Sequence, residues 1–227
     1  MTVQIQTTRS ISLDHGIKVL VYGAPGLGKT YMARTAPGVL VISAESGLLS
    51  LRDVDLPVVE INNIVELGEV YNWCAFTEDG AKFQTLYLDS ISEIAEVVLA
   101  NEKTKSSDPR QAYGELIDQM LTLCKNFRDL SGRNVVFVSK EGSIIDVVTG
   151  MTKAGPSCPG ARLSNELPYL FDEVFRYELV TDSQNQTHRV LRCHPSLTAH
   201  AKDRSGALNE LERPDLSLIF KKIHPES

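Results

Sequence analysis

The chain has no apolar run long enough to cross a bilayer, since no segment approaches the roughly 18 apolar residues that a membrane span needs. Residues 1–12 also lack the apolar centre of a secretory signal peptide. These absences predict a cytoplasmic protein with no membrane partner. Cysteine is sparse too: the four thiols have no C-x-x-C spacing, and His194 beside Cys193 is an isolated pair. We therefore expect neither a zinc site nor disulfides.

An excess of positive charge is also missing. The net charge is −6, which argues against a protein that coats nucleic acid indiscriminately. Residues 1–100 carry 6 basic against 12 acidic side chains, whereas residues 101–227 carry 17 of each. We expect any anion-binding surface in the second half of the chain. A mixed, solvated surface is the alternative interpretation.

The strongest motif is the run Gly23-Ala24-Pro25-Gly26-Leu27-Gly28-Lys29-Thr30, which fits the phosphate-binding loop G-x-x-x-x-G-K-[ST]. An apolar run at residues 17–22 precedes it, and a helix can continue from Tyr31, so the loop lies between strand and helix. Its glycines let backbone N–H groups and a helix N-terminus point at phosphates. Lys29 is suited to the β- and γ-phosphates and the Thr30 hydroxyl to Mg²⁺. We predict a nucleotide site over residues 23–31.

Two carboxylates at strand ends complete the predicted site. Asp89 ends the strand-like run 85–89, where phosphate-binding loops place a metal-binding carboxylate. A plain helix cap is the alternative for Asp89, although Ser90 or Ser92 could fill that role. Glu45 follows the strand at residues 38–43 and is our candidate for the group that orients or deprotonates the attacking water. A surface glutamate is the alternative for Glu45.

Alternating patterns predict an α/β fold: a mostly parallel sheet with helices on both faces and antiparallel edge strands toward the C-terminus. We expect one domain over residues 1–227, with an N-terminal extension at 1–16, a long functional loop at 141–166 and antiparallel edge strands within 173–201. A short helix should follow Arg213. Further strands are predicted at 17–22, 38–43, 57–61, 85–89 and 134–139, and helices at 63–75, 91–103 and 112–130.

With these motifs in order, residues 17 to about 220 resemble the RecA core of P-loop ATPases. The chain is most similar to small phage-encoded ATP-binding proteins of that superfamily, which include Sak-type single-strand annealing proteins. Ser43-Ala44-Glu45 resembles the family's strand-end catalytic glutamate, and Asp89-Ser90 its metal-binding pair. The resemblance implies slow, DNA-stimulated ATP hydrolysis with Mg²⁺, a role in DNA recombination or annealing, and a place in the host bacterial cytoplasm.

Lys202-Asp203-Arg204 resembles the K-x-R element that RadA-like and DnaB-like proteins insert into a neighbour's ATP site. Residues two apart on a strand point to the same side, so Lys202 and Arg204 can present paired cations to one γ-phosphate. The resemblance implies a homo-oligomer, ring or filament, in which both cations act in trans. A charged turn near Gly206 is the alternative.

Two further segments take the places that line the path of single-stranded DNA in RecA-type proteins. Residues 101–111 correspond to the first, and residues 142–162 to the second. Scattered cations in loops suit backbone binding without sequence choice, although Tyr113 is the only aromatic residue near the first segment. A single-strand-binding protein is a further partner that the resemblance allows. The cations implied in DNA binding are Lys103, Lys105, Arg110, Lys153 and Arg162.

The chain departs from the RecA pattern at the sensor strand, where Lys140 replaces the usual polar amide. Lys140 could sense the γ-phosphate or pair with Glu141 at the surface. RecA's additional terminal domains have no room here, so annealing or filament nucleation is expected rather than full strand exchange. Two other classes stay open: a small-molecule P-loop kinase, and a nucleotide-switched assembly factor that does not bind DNA.

Overall fold

The computed structural model describes residue 7 and residues 15–45, 48–145 and 150–225. Ten strands of this part of the chain form one sheet. They are β1 (Lys18–Gly23), β2 (Val39–Ser43), β3 (Val58–Glu60), β4 (Thr85–Asp89), β5 (Asn134–Ile145), β6 (Thr152–Ser157), β7 (Glu173–Thr181), β8 (Thr187–Arg192), β9 (Lys202–Asp203) and β10 (Leu211–Glu212). The helices are α1 (Lys29–Met32), α2 (Ile64–Phe76), α3 (Glu78–Ala81), α4 (Ile91–Lys105), α5 (Pro109–Arg128), α6 (Ala161–Leu170) and α7 (Leu216–Ile223).

The sheet has the strand order β10-β8-β7-β1-β5-β4-β2-β3. The strands from β7 to β3 along this order pair in parallel. Strands β8 and β10 extend the β7 edge in antiparallel pairing, while β6 pairs antiparallel with β5 and β9 with β7. This confirms the predicted fold class. The antiparallel part begins only at β8, because β7 itself lies in the parallel part beside β1.

Helices cover both faces of the sheet because successive apolar side chains of a strand point to opposite faces. Leu20 and Tyr22 of β1 face a core that also contains residues of α2, α4, α5 and α6. Val19 and Val21 face a second core with α1 and α7. Both β1 faces are fully buried, as expected for a central parallel strand.

The carboxyl ends of the parallel strands meet at one edge of the sheet, which we call the carboxyl edge. The phosphate loop follows β1 there, Asp89 ends β4, and Glu45 lies two residues after β2. Strand β5 lies between β1 and β4, and β2 pairs with the other side of β4. The topology therefore brings three segments that are distant in sequence to the same edge.

The predicted long loop at residues 141–166 was wrong. Strand β5 continues past Lys140 to Ile145 and pairs with β6, and α6 begins at Ala161. Gly142 lies opposite Gly155 in this hairpin, and Pro156 is opposite Glu141. Glycine and proline suggested a loop, but here they belong to an antiparallel arm. Residues 146–149 lie outside the described residues.

Three smaller differences concern connections. Helix α4 runs to Lys105 and α5 begins at Pro109, so most of the predicted loop 101–111 is helical. The last part of the predicted edge-strand region 173–201 is not a strand, since residues 197–201 form one isolated bridge, between Ala154 and Ala199. The N-terminal extension 1–16 falls almost entirely outside the described residues. Among the helices that the structure describes, none combines the length and the apolar character of a membrane span.

Candidate nucleotide site

The phosphate loop is built between β1 and the first turn of α1. Gly23 pairs with Tyr177 of β7 so closely that a Cβ would lie 2.5 Å from the Tyr177 carbonyl oxygen. Gly26 and Gly28 have φ angles of 77° and 105°, a region that side chains disfavour. Helix α1 is only four residues long and continues into a 3₁₀ turn at Ala33–Thr35. The loop backbone is thus shaped by glycine where the motif requires it.

Lys29 lies folded over the loop that it belongs to. Its ammonium donates to the carbonyl oxygens of Gly23 and Ala24 at 2.7 and 2.9 Å. Burial lowers the pKa of Lys29, while the nearby carboxylates of Asp89, Glu45 and Glu141 act in the opposite direction. The side chain therefore sits in the centre of the loop, where the carboxylate charges offset only part of the effect of burial.

Asp89 is the buried carboxylate of the site. Only 2% of the residue is exposed, its carboxyl group is hydrogen-bonded to Thr30, and its Oδ2 atom has no hydrogen-bond partner among the described residues. Burial raises the pKa of Asp89 to about 6, and the Glu45 charge adds to that effect. Ser90 caps α4 instead, accepting from Glu93 N at 3.4 Å, so Asp89 is not needed as the helix cap.

An unpaired carboxylate oxygen beside a threonine hydroxyl fits a divalent cation. Among the described residues no three Asp, Glu, His or Cys side chains cluster around a metal position. Mg²⁺ can be bound through only one or two protein ligands, since it keeps several waters and also binds phosphate oxygens of a nucleotide. Thr30 and Asp89 could hold it, and their assignment as metal ligands stays a prediction.

Glu45 reaches the same edge from β2. The Ser90 hydroxyl donates to Glu45 Oε1 at 3.2 Å, and the Ser43 hydroxyl donates to the Glu45 carbonyl at 3.0 Å. Ser43 is the register partner of Asp89 across the β2–β4 pair. The structure therefore brings Glu45, Asp89 and Lys29 together. The assignment of Glu45 as the water-orienting group stays a prediction.

Two tyrosines near the loop were missed from the sequence. The Tyr87 hydroxyl donates to the Lys29 carbonyl at 2.5 Å, and the Tyr177 hydroxyl lies 3.4 Å from where a Gly28 Cβ would be. Both tyrosines are buried. The available signal was a tyrosine inside a strand, because a buried hydroxyl needs a polar partner.

Lys140 does not pair with Glu141. Its ammonium lies 2.6 Å from Glu93 and 2.7 Å from Glu96, and these hydrogen bonds raise the pKa of Lys140 to about 12. Glu141 instead binds the Arg176 guanidinium through both oxygens, at 2.9 and 3.1 Å. Lys140 does lie opposite Gly23 in the β1–β5 pair, so γ-phosphate sensing stays a prediction.

The Lys202–Arg204 element lies at the opposite end of the sheet from the phosphate loop. Strand β9 pairs with the first two residues of β7, and Arg204 Nη1 binds Asp172 Oδ1 at 2.8 Å. Lys202 Nζ donates to the Pro168 carbonyl at 2.7 Å. Through β7, Lys202 and Asp203 lie level with Leu20 and Val19, three and four residues before Gly23, which is about 10–13 Å at roughly 3.3 Å per residue. In their own chain these cations contact the Pro168 carbonyl and Asp172 rather than the phosphate loop.

The predicted DNA-binding cations lie on helices and on β6 rather than in open loops. Lys103 Nζ lies 5.8 Å from the ring centroid of Tyr113, whose ring would contact a Cβ at Gly160, just before α6. This brings the start of α5, with Arg110, next to the start of α6, with Arg162. Lys105 is paired with Glu102 at 2.6 Å and Arg162 with Glu166 at 2.7 Å, and Lys153 lies on β6.

Comparisons with known proteins agree with this geometry. A family profile described as AAA domain matches residues 15–205, most of the chain. The chain belongs to this AAA domain family. No curated protein sequence matches the chain. Its parallel sheet and its phosphate loop after β1 are those of a P-loop ATPase domain, which confirms the coarse prediction made from the motifs.

Solved structures similar to this AAA domain include a KaiC-like protein from the hyperthermophilic archaeon Pyrococcus horikoshii. It has 13% sequence identity and a TM-score of 0.46, over 78% of each chain. The flagellar accessory protein FlaH from Methanocaldococcus jannaschii has 10% identity and a TM-score of 0.42, over 79% of this chain and 78% of that one.

Proposed function

We propose that the protein is an Mg²⁺-dependent ATPase that assembles with ATP between subunits and binds single-stranded DNA in recombination or annealing. The observation that carries the ATPase part is the convergence of Lys29, Thr30, Asp89 and Glu45 at the carboxyl edge. A phage origin belongs to the same proposal and depends on the resemblance alone.

Each residue at the carboxyl edge has a distinct role in this proposal. The loop N–H groups and Lys29 bind the phosphates, and Thr30 with Asp89 would hold Mg²⁺, which supplies charge neutralisation at the β- and γ-phosphates. Glu45 orients the attacking water and accepts its proton, while Ser90 holds the Glu45 carboxylate in place at 3.2 Å. Tyr87 fixes the Lys29 backbone.

The neighbouring subunit completes the site in this proposal. Lys202 and Arg204 lie on the end of the sheet remote from their own phosphate loop, which suits a head-to-tail assembly in which each subunit supplies cations to the next. Tyr169 belongs to the same surface as these two cations. It is 84% exposed and follows Pro168, whose carbonyl accepts a hydrogen bond from Lys202. A large exposed aromatic beside two cations is typical of a protein interface.

The proposed DNA surface is the Tyr113 patch, which we define as Lys103, Arg110, Tyr113 and Arg162. A half-exposed aromatic ring with cations around it suits stacking of one base and contact with the adjoining phosphates. This surface combines residues from both segments that the sequence assigned to DNA.

Fluorescence anisotropy of a labelled single-stranded oligonucleotide tests the DNA proposal, with and without Mg-ATP at low salt. We expect ATP-dependent binding that Tyr113→Ala weakens about fivefold or more, in line with about 1–3 kcal/mol per stacked base. Phe76→Ala is the matched control, because Phe76 is an exposed aromatic on α2, outside the patch. Binding that Tyr113→Ala leaves unchanged would contradict the proposed surface.

A nucleotide-switched assembly factor is the second candidate, and one observation favours it. Lys105 and Arg162 are both held by glutamates of their own helices, which reduces the positive charge available to a nucleic acid. ATP-dependent self-association that is indifferent to the oligonucleotide would support this second function.

A further inference from the structure

The middle residue of the Lys202–Arg204 element faces inward. Asp203 is the register partner of Glu173 across the β7–β9 pair, and both side chains are almost fully buried. Lys202 and Arg204 lie on the other side, at Pro168 and Asp172, as strand alternation requires. The two cations are thus attached to the sheet through a buried pair of carboxyl groups.

The hydrogen bonds of this pair indicate where the proton is. Asp203 Oδ1 accepts from the Ser205 hydroxyl and Gly206 N, and Oδ2 from Leu208 N, at distances between 2.6 and 3.0 Å. Glu173 Oε1 accepts only from Ser205 N at 3.2 Å, and its Oε2 is buried without a donor in the described structure. Asp203 is therefore the ionised member, and a proton on Glu173 satisfies both groups.

The charged surroundings reinforce this arrangement. Burial raises the pKa of Glu173 to about 8, and the negative charge of Asp203 adds to that effect. His194 Nε2 lies 3.7 Å from Asp203 Oδ2. The titratable or charged groups around the pair are Asp172, Cys193, His194, Lys202, Arg204, Glu212 and Lys222.

We propose that Glu173 is a positioning residue that keeps Lys202 and Arg204 in place for the neighbouring subunit only while it carries a proton. This inference rests on the trans role of Arg204 in the proposed function. Strand β9 has only two residues, so little other backbone pairing holds it to β7. Two ionised carboxylates at this position repel each other and loosen β9.

The test is a pH profile of ATP hydrolysis between about pH 6.5 and about pH 9.5, measured for the full chain and for Arg204→Ala. The ratio of the two rates isolates the contribution of Arg204 at each pH. We expect this ratio to fall at least fivefold as the pH rises through about 8. In the Glu173→Gln background, where the side chain is neutral at every pH, the ratio should stay flat within about twofold.

Glu212→Gln is the matched control, since Glu212 is a second buried glutamate, on β10, paired with Lys222. It should keep the pH dependence of the full chain. A Glu173→Gln profile that falls like that of the full chain overturns the inference, whereas a ratio near one at every pH overturns the trans role of Arg204 itself.

A second measurement does not depend on activity. The folded pKa of Glu173, about 8, lies above its unfolded value of 4.5, so stability in urea unfolding should fall as the pH rises from about 5 to about 8 and level off above about pH 9. The contribution of Asp89 develops mainly below about pH 6, so Glu173→Gln should lose most of the fall between about pH 6.5 and about pH 8. An unchanged pH dependence of stability in Glu173→Gln would likewise overturn the assignment of the proton.

Discussion

Asp89→Asn should stabilise the protein in the absence of Mg²⁺ and nucleotide. The carboxylate is buried and one oxygen has no partner, so its ionisation disfavours the folded state. Its folded pKa of about 6 lies above its unfolded value of 3.8, so the fall in stability develops as the pH rises through this range and is complete by about pH 7.5. About two pKa units correspond to at most about 3 kcal/mol. We expect a gain of about 1–3 kcal/mol.

The assay is urea unfolding at about pH 7.5 with EDTA. Asp203→Asn is the control, because Asp203 accepts three hydrogen bonds that an amide cannot all accept. It should destabilise by about 1–3 kcal/mol. With Mg-ATP the unmodified chain should become more stable than Asp89→Asn. At a Mg-ATP concentration about 100 times the dissociation constant of the complex, the unmodified chain gains about 2.7 kcal/mol, and Asp89→Asn gains far less. Equal destabilisation by both substitutions would refute the reasoning.

Three further substitutions follow from the same contacts. Gly23→Ala places a Cβ 2.5 Å from the Tyr177 carbonyl oxygen, so the free energy of unfolding should fall by about 1–3 kcal/mol, and nucleotide affinity should fall as well. A calorimetric unfolding profile that does not change would contradict the close contact between β1 and β7. Tyr22→Phe removes a buried hydroxyl whose one proton is shared between the Ala154 and His200 carbonyls and should destabilise by about 1–3 kcal/mol in urea, whereas the exposed Tyr169→Phe should change the free energy of unfolding by less than about 0.5 kcal/mol. Tyr169→Ala should weaken ATP-dependent self-association in sedimentation at least fivefold, and an undiminished assembly would remove Tyr169 from the interface.

The nucleotide site was predictable because its chemistry depends on residue types at fixed spacing. The phosphate loop and the strand ends at Asp89 and Glu45 are local features, and parallel pairing then places them at one edge. Their positions agreed with the sequence prediction. The partners of these residues were not predictable, because Tyr87 and Ser90 act through contacts that only the packed sheet creates.

The β5–β6 hairpin shows where local patterns fail. Glycine and proline at residues 142, 155 and 156 have the composition of a loop, yet they pair across an antiparallel arm. Pairing between strands depends on residues that are distant in sequence. A short run that contains glycine shows too little alternation of apolar and polar residues to predict a strand. The ion pairs of Lys140 escaped prediction for the same reason, since Glu93 and Glu96 lie on a different element.

Subunit mixing tests most directly whether the ATP site is shared between subunits. Lys29→Ala lacks a working phosphate loop but keeps Arg204, whereas Arg204→Ala has the reverse defect, so each protein alone should be inactive. We predict that an equimolar mixture regains roughly a quarter of the normal ATPase rate, because about one head-to-tail interface in four combines an intact loop with an intact Arg204. A mixture that stays inactive, or an Arg204→Ala protein that is fully active alone, would contradict a site completed in trans.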